Sequence, residues 1–161
     1  MGGRPVGDDG GSWLVIGYGS DLRGDDAVGR RVAERVADWG RPGVQALSVH
    51  QLAPELAEPM STAGQVIFVD ACADGPEVCL RPLQPGTLGA EPSHTSDPHW
   101  LLALTRLLYM RQPEAWLLTV PASDLGLGEG LSAAAAEGMA VALRQLDHLV
   151  RASNREMGGR P

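Results

Sequence analysis

The sequence predicts an α/β protein: a three-layer α/β/α sandwich around a mixed, mostly parallel, five-stranded twisted sheet. Two observations carry this expectation. Short aliphatic runs alternate along the chain with segments whose apolar residues recur at helical spacing. Such alternation marks a largely parallel sheet covered on both faces. The third and fourth runs are joined by too few residues for a helical crossover. The fourth strand must therefore run antiparallel to the third, which makes the sheet mixed.

The elements follow in order. Trp13 to Gly19 is an apolar run ending in glycines, the pattern of a buried strand entering a tight turn. From Asp25 to Trp39, Val28, Val32, Val36 and Trp39 share one helical face, and Asp25 stands where an N-cap is expected. Val44 to Val49 is a second strand. Pro54 to Ala63 is a short helix, with Pro54 and Glu55 suited to its first turn. Gln65 to Ala71 is the clearest strand, apolar until Asp70. Glu77 to Leu83 is a fourth strand between Gly/Pro boundaries, and Pro98 to Met110 is a helix with Leu101, Leu104 and Leu108 on its apolar face. Ala115 to Val120 is the fifth strand. Leu131 to Val150 is a long Ala-rich helix capped near its start by Ser132. Residues 1–12 are expected to be a flexible N-terminus, 13–150 a single domain, and 151–161 a frayed polar tail.

Composition narrows the function. A chain of 161 residues with 43% hydrophobic and 20% charged residues is sized and balanced for one globular core. Its net charge of −7 offers no footprint for nucleic acid. No apolar run approaches the roughly 20 residues that span a membrane, and no signal-peptide pattern opens the chain. A cytoplasmic protein follows, and a monomer is expected because no apolar stripe stands out as surplus. Cys72 and Cys79 form no Cys-x-x-Cys pair and read as reduced, buried thiols.

In α/β folds, chemistry collects beyond the carboxyl ends of the parallel strands. Three segments bring polar residues there: Gly17 to Asp26 after the first strand, Asp70 closing the third, and the loop from Ser93 through His94 to Pro98. Each has a plain structural explanation. Asp25 alone is a helix cap, Asp26 a first-turn acid favoured by the helix dipole, Asp70 a strand-to-loop transition, and His94 a surface histidine. His99 opens an apolar helix and reads as structural. Only the constellation points to chemistry: two carboxylates and an imidazole suit a borderline divalent metal such as Ni²⁺ or Zn²⁺, with open positions left for a further ligand.

Other readings fail on inspection. Gly17-x-Gly19 is followed by Leu22 where a dinucleotide site has its third glycine. Val49-His50-Gln51 occupies the place of the ribose-binding acid, and the chain has no lysine for a phosphate loop. No organic cofactor is therefore expected. No Gly-x-Ser-x-Gly elbow is present, and neither cysteine opens a helix beside a histidine.

The run Leu14-Val-Ile-Gly-Tyr-Gly-Ser-Asp-Leu-Arg-Gly-Asp-Asp-Ala-Val-Gly29 resembles the opening signature of the hydrogenase maturation proteases. Their first strand ends in Gly-Asn-x-Leu-x-x-Asp-(Asp/Glu)-(Gly/Ala)-x-Gly. The resemblance continues through Val69-Asp-Ala71, Ser93 to Pro98, and Gly130-Leu-Ser132. It implies that Asp26, Asp70 and His94 contact metal, and that Asp26 and Asp70 take part in catalysis. It also places Ser20, Asp25 and His50 beside the substrate. The implied activity is removal of a C-terminal extension from a nickel–iron hydrogenase large-subunit precursor, its partner, after nickel insertion. The nickel is carried by that precursor, and zinc or another divalent metal can occupy the same donors. The run His50-Gln-Leu-Ala-Pro-Glu55 looks most like the branch serving bidirectional, NAD(P)-linked hydrogenases. Ser20 stands where the family usually has Asn. The alternatives are an unrelated metallohydrolase on a similar scaffold and a nickel-sensing chaperone that does not cut.

Overall fold

The computed structural model describes residues 12–20, 22, 24–73, 75–88, 97–123 and 130–158. Its strands are β1 (Trp13–Tyr18), β2 (Val44–Val49), β3 (Gln65–Cys72), β4 (Cys79–Leu83) and β5 (Glu114–Pro121). They form one sheet in the order β2-β1-β3-β5-β4. All neighbours are parallel except β4, which runs antiparallel to β5. The α-helices among the described residues are α1 (Val28–Asp38), α2 (Ala57–Thr62), α3 (Pro98–Tyr109) and α4 (Ala133–Gly158).

Strand alternation sorts the core into two layers. Val15, Ile67, Val69, Leu118 and Val120 point to one face, where they pack with Val28, Val32 and Val36 of α1 and Ala142, Leu146 and Val150 of α4. Leu14, Ile16, Val66, Phe68 and Leu117 point to the other, against Met60 of α2 and Leu101 and Leu102 of α3. Burial of each Val, Leu, Ile, Phe or Met side chain among these stabilises the fold by about 1.5–3 kcal/mol. The period of two along β3 also assigns its last polar residue: Asp70 follows Val66 and Phe68 onto the α3 face.

The fourth strand keeps the expected direction but takes a different neighbour. β5 lies between it and β3. The reason is composition. In β5, Ala115, Leu117, Leu118 and Val120 are buried, which suits an interior strand. β4 holds Arg81 and Pro82, and a proline without an amide hydrogen belongs at a sheet edge. Cys72 and Cys79 fall on strands separated by β5; both are free, but Cys72 is half-buried and Cys79 exposed, not interior as expected.

Three other expectations need correction. Helix α1 starts at Val28 after a 3₁₀ turn over Gly24–Ala27, and its N-cap, Ala27, offers no side-chain bond. Asp25 is therefore not its cap. Helix α4 does not end at Val150 but continues to Gly158. Arg151 Nε donates to Asp147 Oδ1 at 3.0 Å, an i,i+4 tie that helps carry the helix beyond its last core residue. Finally, an apolar end of α3 is exposed: Leu107, Leu108, Tyr109 and Met110 stand open to solvent. The premise of the monomer expectation, that no apolar surface is left over, does not hold.

Candidate metal-docking site

Two close backbone approaches build the site. A Cβ on Gly29, in the first turn of α1, would lie 2.3 Å from the Val69 carbonyl oxygen and 2.9 Å from that of Tyr18. The helix start is thus seated directly on the ends of β1 and β3. Gly19 has φ +146°, and a Cβ there would come within 1.9 Å of the Asp26 carbonyl oxygen. Only glycine lets the chain leave β1 and fold the 3₁₀ turn back over the strand end. Glycines in the first motif therefore serve to bring Asp26 to the sheet.

Asp26 is half-buried at that edge. Its Oδ2 accepts the Ser20 backbone N–H at 2.8 Å. The contact with Ser20 is thus through the main chain. The Ser20 side chain does something else: its Oγ accepts the Leu22 N–H at 3.3 Å, a local turn bond of the kind an Asn also makes. An Asn at this position would leave both contacts available.

Asp70 faces the same edge from β3. Its Oδ1 accepts the Ala71 N–H at 2.8 Å, and its Oδ2 accepts the Tyr18 hydroxyl at 3.0 Å. Burial pushes the Asp70 carboxyl above its usual range; the bonds from Tyr18 and Ala71 oppose that, and the nearby Asp26 charge adds to it. Tyr18 is itself pushed far up, first by burial, then by the Asp70 charge and the bond to it. The phenol therefore stays protonated and donates at any physiological pH.

Asp25, expected beside the substrate, is fully buried. Its Oδ1 accepts the Ser132 N–H at 2.6 Å, and its Oδ2 accepts the Ser123 N–H at 2.9 Å and the Ser132 hydroxyl at 2.7 Å. Ser132 in turn accepts the Ala135 N–H at 3.1 Å as the cap of α4. A carboxylate so enclosed cannot touch a substrate. It fastens the turn carrying Asp26 to the end of β5 and the start of α4.

His50 lies just past the end of β2, next to β1, where Tyr18 pairs with Val49. It is exposed, with Nδ1 at 3.2 Å from Arg30 Nη1. Arginine only donates, so Nδ1 accepts and the imidazole proton resides on Nε2. Arg30 Nε also donates to Ser48 Oγ at 3.1 Å. His94 lies outside the described residues. The segment that carries it leads into α3, whose first residues are fixed: Asp97 caps the helix by accepting the His99 N–H at 2.9 Å, and His99 Nδ1 donates to the Gln84 carbonyl at 2.7 Å. His99 is structural, as its place before an apolar helix suggested. No cluster of three or more His, Cys, Asp or Glu able to hold a metal occurs among the described residues. The two carboxylates that the structure does bring to one edge are hard donors, and an imidazole added to them suits a divalent ion of borderline character.

Tyr18 and Arg30 were not singled out by sequence reasoning. For Tyr18 a signal existed: a phenol between two glycines, at the end of an otherwise aliphatic strand. For Arg30, nothing distinguishes it from Arg31 until the helix is seated on the sheet.

No family model matches the chain, and no curated protein matches it. Solved structures do. The hydrogenase maturating endopeptidase HybD from E. coli superposes with a TM-score of 0.73 at 21% identity, over 88% of this chain and 93% of that one. The [NiFe] hydrogenase maturation protease HybD from Thermococcus kodakarensis gives 0.68 at 23% identity, over 86% and 99%. A solution structure of an endopeptidase from Escherichia coli gives 0.64 at 24% identity, over 91% and 94%. At these identities the likeness defines architecture, and the chain has the α/β fold that these maturation endopeptidases share.

Proposed function

We propose that this chain is an endopeptidase that removes the C-terminal extension of a nickel–iron hydrogenase large-subunit precursor after nickel insertion. The observation that carries the reading is the convergence of Asp26 and Asp70 at adjoining strand ends, with Asp70 on the face of α3, in a fold shared with maturation endopeptidases. The segment preceding α3 holds His94, the third donor of the reading.

Nickel belongs to the substrate here. Held by the precursor, it has coordination positions that Asp26, Asp70 and His94 fill, so the tail docks only when metal is present. Zinc or another divalent ion fits the same donors. Ionised carboxylates and a neutral imidazole are the competent forms, and docking weakens as pH falls. The burial that raises Asp70 moves this loss to a higher pH than an exposed Asp would give. Hydrolysis needs an activated water. Asp26 is half-exposed, and among the described residues its Oδ1 has no hydrogen-bond partner, so it is the better-placed general base. The metal-held geometry sets where the scissile bond lies.

The His50 to Glu55 run supports the branch that serves bidirectional, NAD(P)-linked hydrogenases. No helix among the described residues is long and apolar enough to cross a membrane, which fits a cytoplasmic setting. The acidic chain, with net charge −7, favours no nucleic-acid partner.

The test is incubation with the host's large-subunit precursor, nickel-loaded and nickel-free, followed by intact-mass analysis. Loss of a C-terminal fragment only from the loaded sample is expected, and Asp26→Asn should abolish it without unfolding the chain. Binding without any mass change would turn the reading into a nickel-sensing chaperone. Cleavage of generic peptides or esters would turn it into an unrelated metallohydrolase.

A further inference from the structure

We propose that Tyr18 is a positioning residue that holds the Asp70 carboxylate in the orientation in which it meets the precursor's nickel. The inference rests on the reading of Asp70 as a nickel-docking ligand and deepens it.

The geometry begins with register. Gly17 pairs with Val69 across β1 and β3, so Tyr18 and Asp70 come next on neighbouring strands and project to the same face. The Tyr18 hydroxyl reaches Asp70 Oδ2 at 3.0 Å while the Ala71 amide holds Oδ1 at 2.8 Å. With one donor on each oxygen, the carboxylate plane is fixed, and each oxygen retains a lone pair for a metal. Without the phenol, one oxygen loses its tether and the group turns about its terminal torsion, which is soft in aspartate.

Tyr18 is well placed for this task for two further reasons. Its ring packs against the layer of Leu14, Ile16, Leu101 and Leu102, which restrains the hydroxyl. Its backbone is pinned between Gly17 and Gly19, with its carbonyl closely overlaid by Gly29 at the start of α1. The same helix start follows the turn that delivers Asp26. Tyr18 therefore links the two carboxylates through one rigid strand end. Groups that orient a metal's ligands by hydrogen bonds are worth roughly 10- to 100-fold in metal affinity.

The test compares the full chain, Tyr18→Phe and Asp70→Asn by calorimetric titration with Ni²⁺ alone up to millimolar concentration, alongside thermal unfolding and cleavage of loaded precursor. Phenylalanine keeps the packed ring and removes only the donor. The expected result is a Tyr18→Phe chain that unfolds near the wild-type temperature and binds Ni²⁺ about 10- to 100-fold more weakly. KM for loaded precursor should rise in parallel, while Asp70→Asn loses Ni²⁺ binding altogether. Wild-type affinity in Tyr18→Phe, whatever its melting temperature, with binding lost in Asp70→Asn, overturns the role of Tyr18 and leaves the docking site standing. No Ni²⁺ uptake by the wild type, or unchanged uptake by Asp70→Asn, overturns the docking reading and the inference with it.

Discussion

Asp25 and Asp26 are adjacent carboxylates on one 3₁₀ turn, yet Asp25 is fully buried among the amides and hydroxyls of Ser123 and Ser132, whereas Asp26 is half-buried and, among the described residues, takes a single amide from Ser20. The difference follows from the direction each side chain takes when the turn folds onto the sheet. One points between β5 and α4, where backbone donors at a strand end and a helix start need an acceptor. The other points to the open strand edge, where its remaining oxygen is available for chemistry. A saturated carboxylate fixes structure; an unsaturated one at the same location can act. Neighbouring acids in a motif therefore need not share a job.

Substitution separates the two most sharply. Asp25→Ala takes a fully buried acceptor away from the Ser123 and Ser132 amides and the Ser132 hydroxyl. With about 1.5–3 kcal/mol for a hydrogen bond to a charged group, and several lost together from partly exposed donors, we expect a loss of about 3 kcal/mol. In a domain of this size that lowers the melting temperature by roughly 10 °C. Asp26→Ala, at a half-exposed position with one bond among the described residues, should cost about 1 kcal/mol while removing cleavage of loaded precursor. Chemical denaturation of both variants checks this. A stable Asp25→Ala chain that has lost only precursor binding would break the comparison and return Asp25 to the substrate-facing role that the family resemblance implies.

Much of the fold was legible because its signals are local. The aliphatic runs of β1, β3 and β5, the 3.6-residue spacing in α1 and the proline at the start of α3 each act within a short window. What was not legible depends on distant partners. The donors to Asp25 lie 98 and 107 positions away, so a motif beside a helix start reads as a cap until β5 and α4 are in place. The tie from Tyr18 to Asp70 spans 52 positions and needs the strand register. The place of β4 was settled by a competition that no single segment records, between an apolar strand suited to the interior and a proline-bearing one suited to the edge. Of the site, the nearness of the β1 turn to the end of β3 is legible, because it follows from parallel strands ending side by side.

A second, smaller effect sharpens the contrast between saturated and unsaturated acids. Asp70 is pushed above its ordinary value of 3.8 chiefly by burial, which the two donors do not fully offset. For a group raised in the folded state, the favourable contribution is fully present below about pH 3.8 and is lost as pH rises through the folded value. At neutral pH the ionised Asp70 therefore opposes folding. Asp70→Asn should melt higher than wild type at pH 7, and the gain should vanish near pH 3, with nickel docking lost throughout. A destabilised Asp70→Asn chain at pH 7 would mean that its hydrogen bonds outweigh its desolvation, and Asp70 would then belong with Asp25.

The smallest effect is expected where an acid pairs at the half-exposed surface. Asp147 accepts from Arg151 at 3.0 Å and also pairs with Arg41. The bond from Arg151, then that from Arg41, holds its carboxyl below the usual range. The sign is opposite to that of Asp70: the contribution is present above the ordinary pKa of 3.8 and fades as pH falls through the lower folded value. Solvent screening keeps it slight, because exposed pairs gain little in water and salt weakens them further. Asp147→Asn should change the melting temperature by no more than a degree or two at neutral pH and low salt, and by nothing measurable in 1 M salt. A larger loss that persists in high salt would show that Arg41, which also stacks over the Trp39 ring at 4.4 Å, uses Asp147 to pin the loop after α1 against α4. In that case a half-exposed carboxylate would be fixing structure as Asp25 does, and the number of donors rather than burial would separate the acids of this fold.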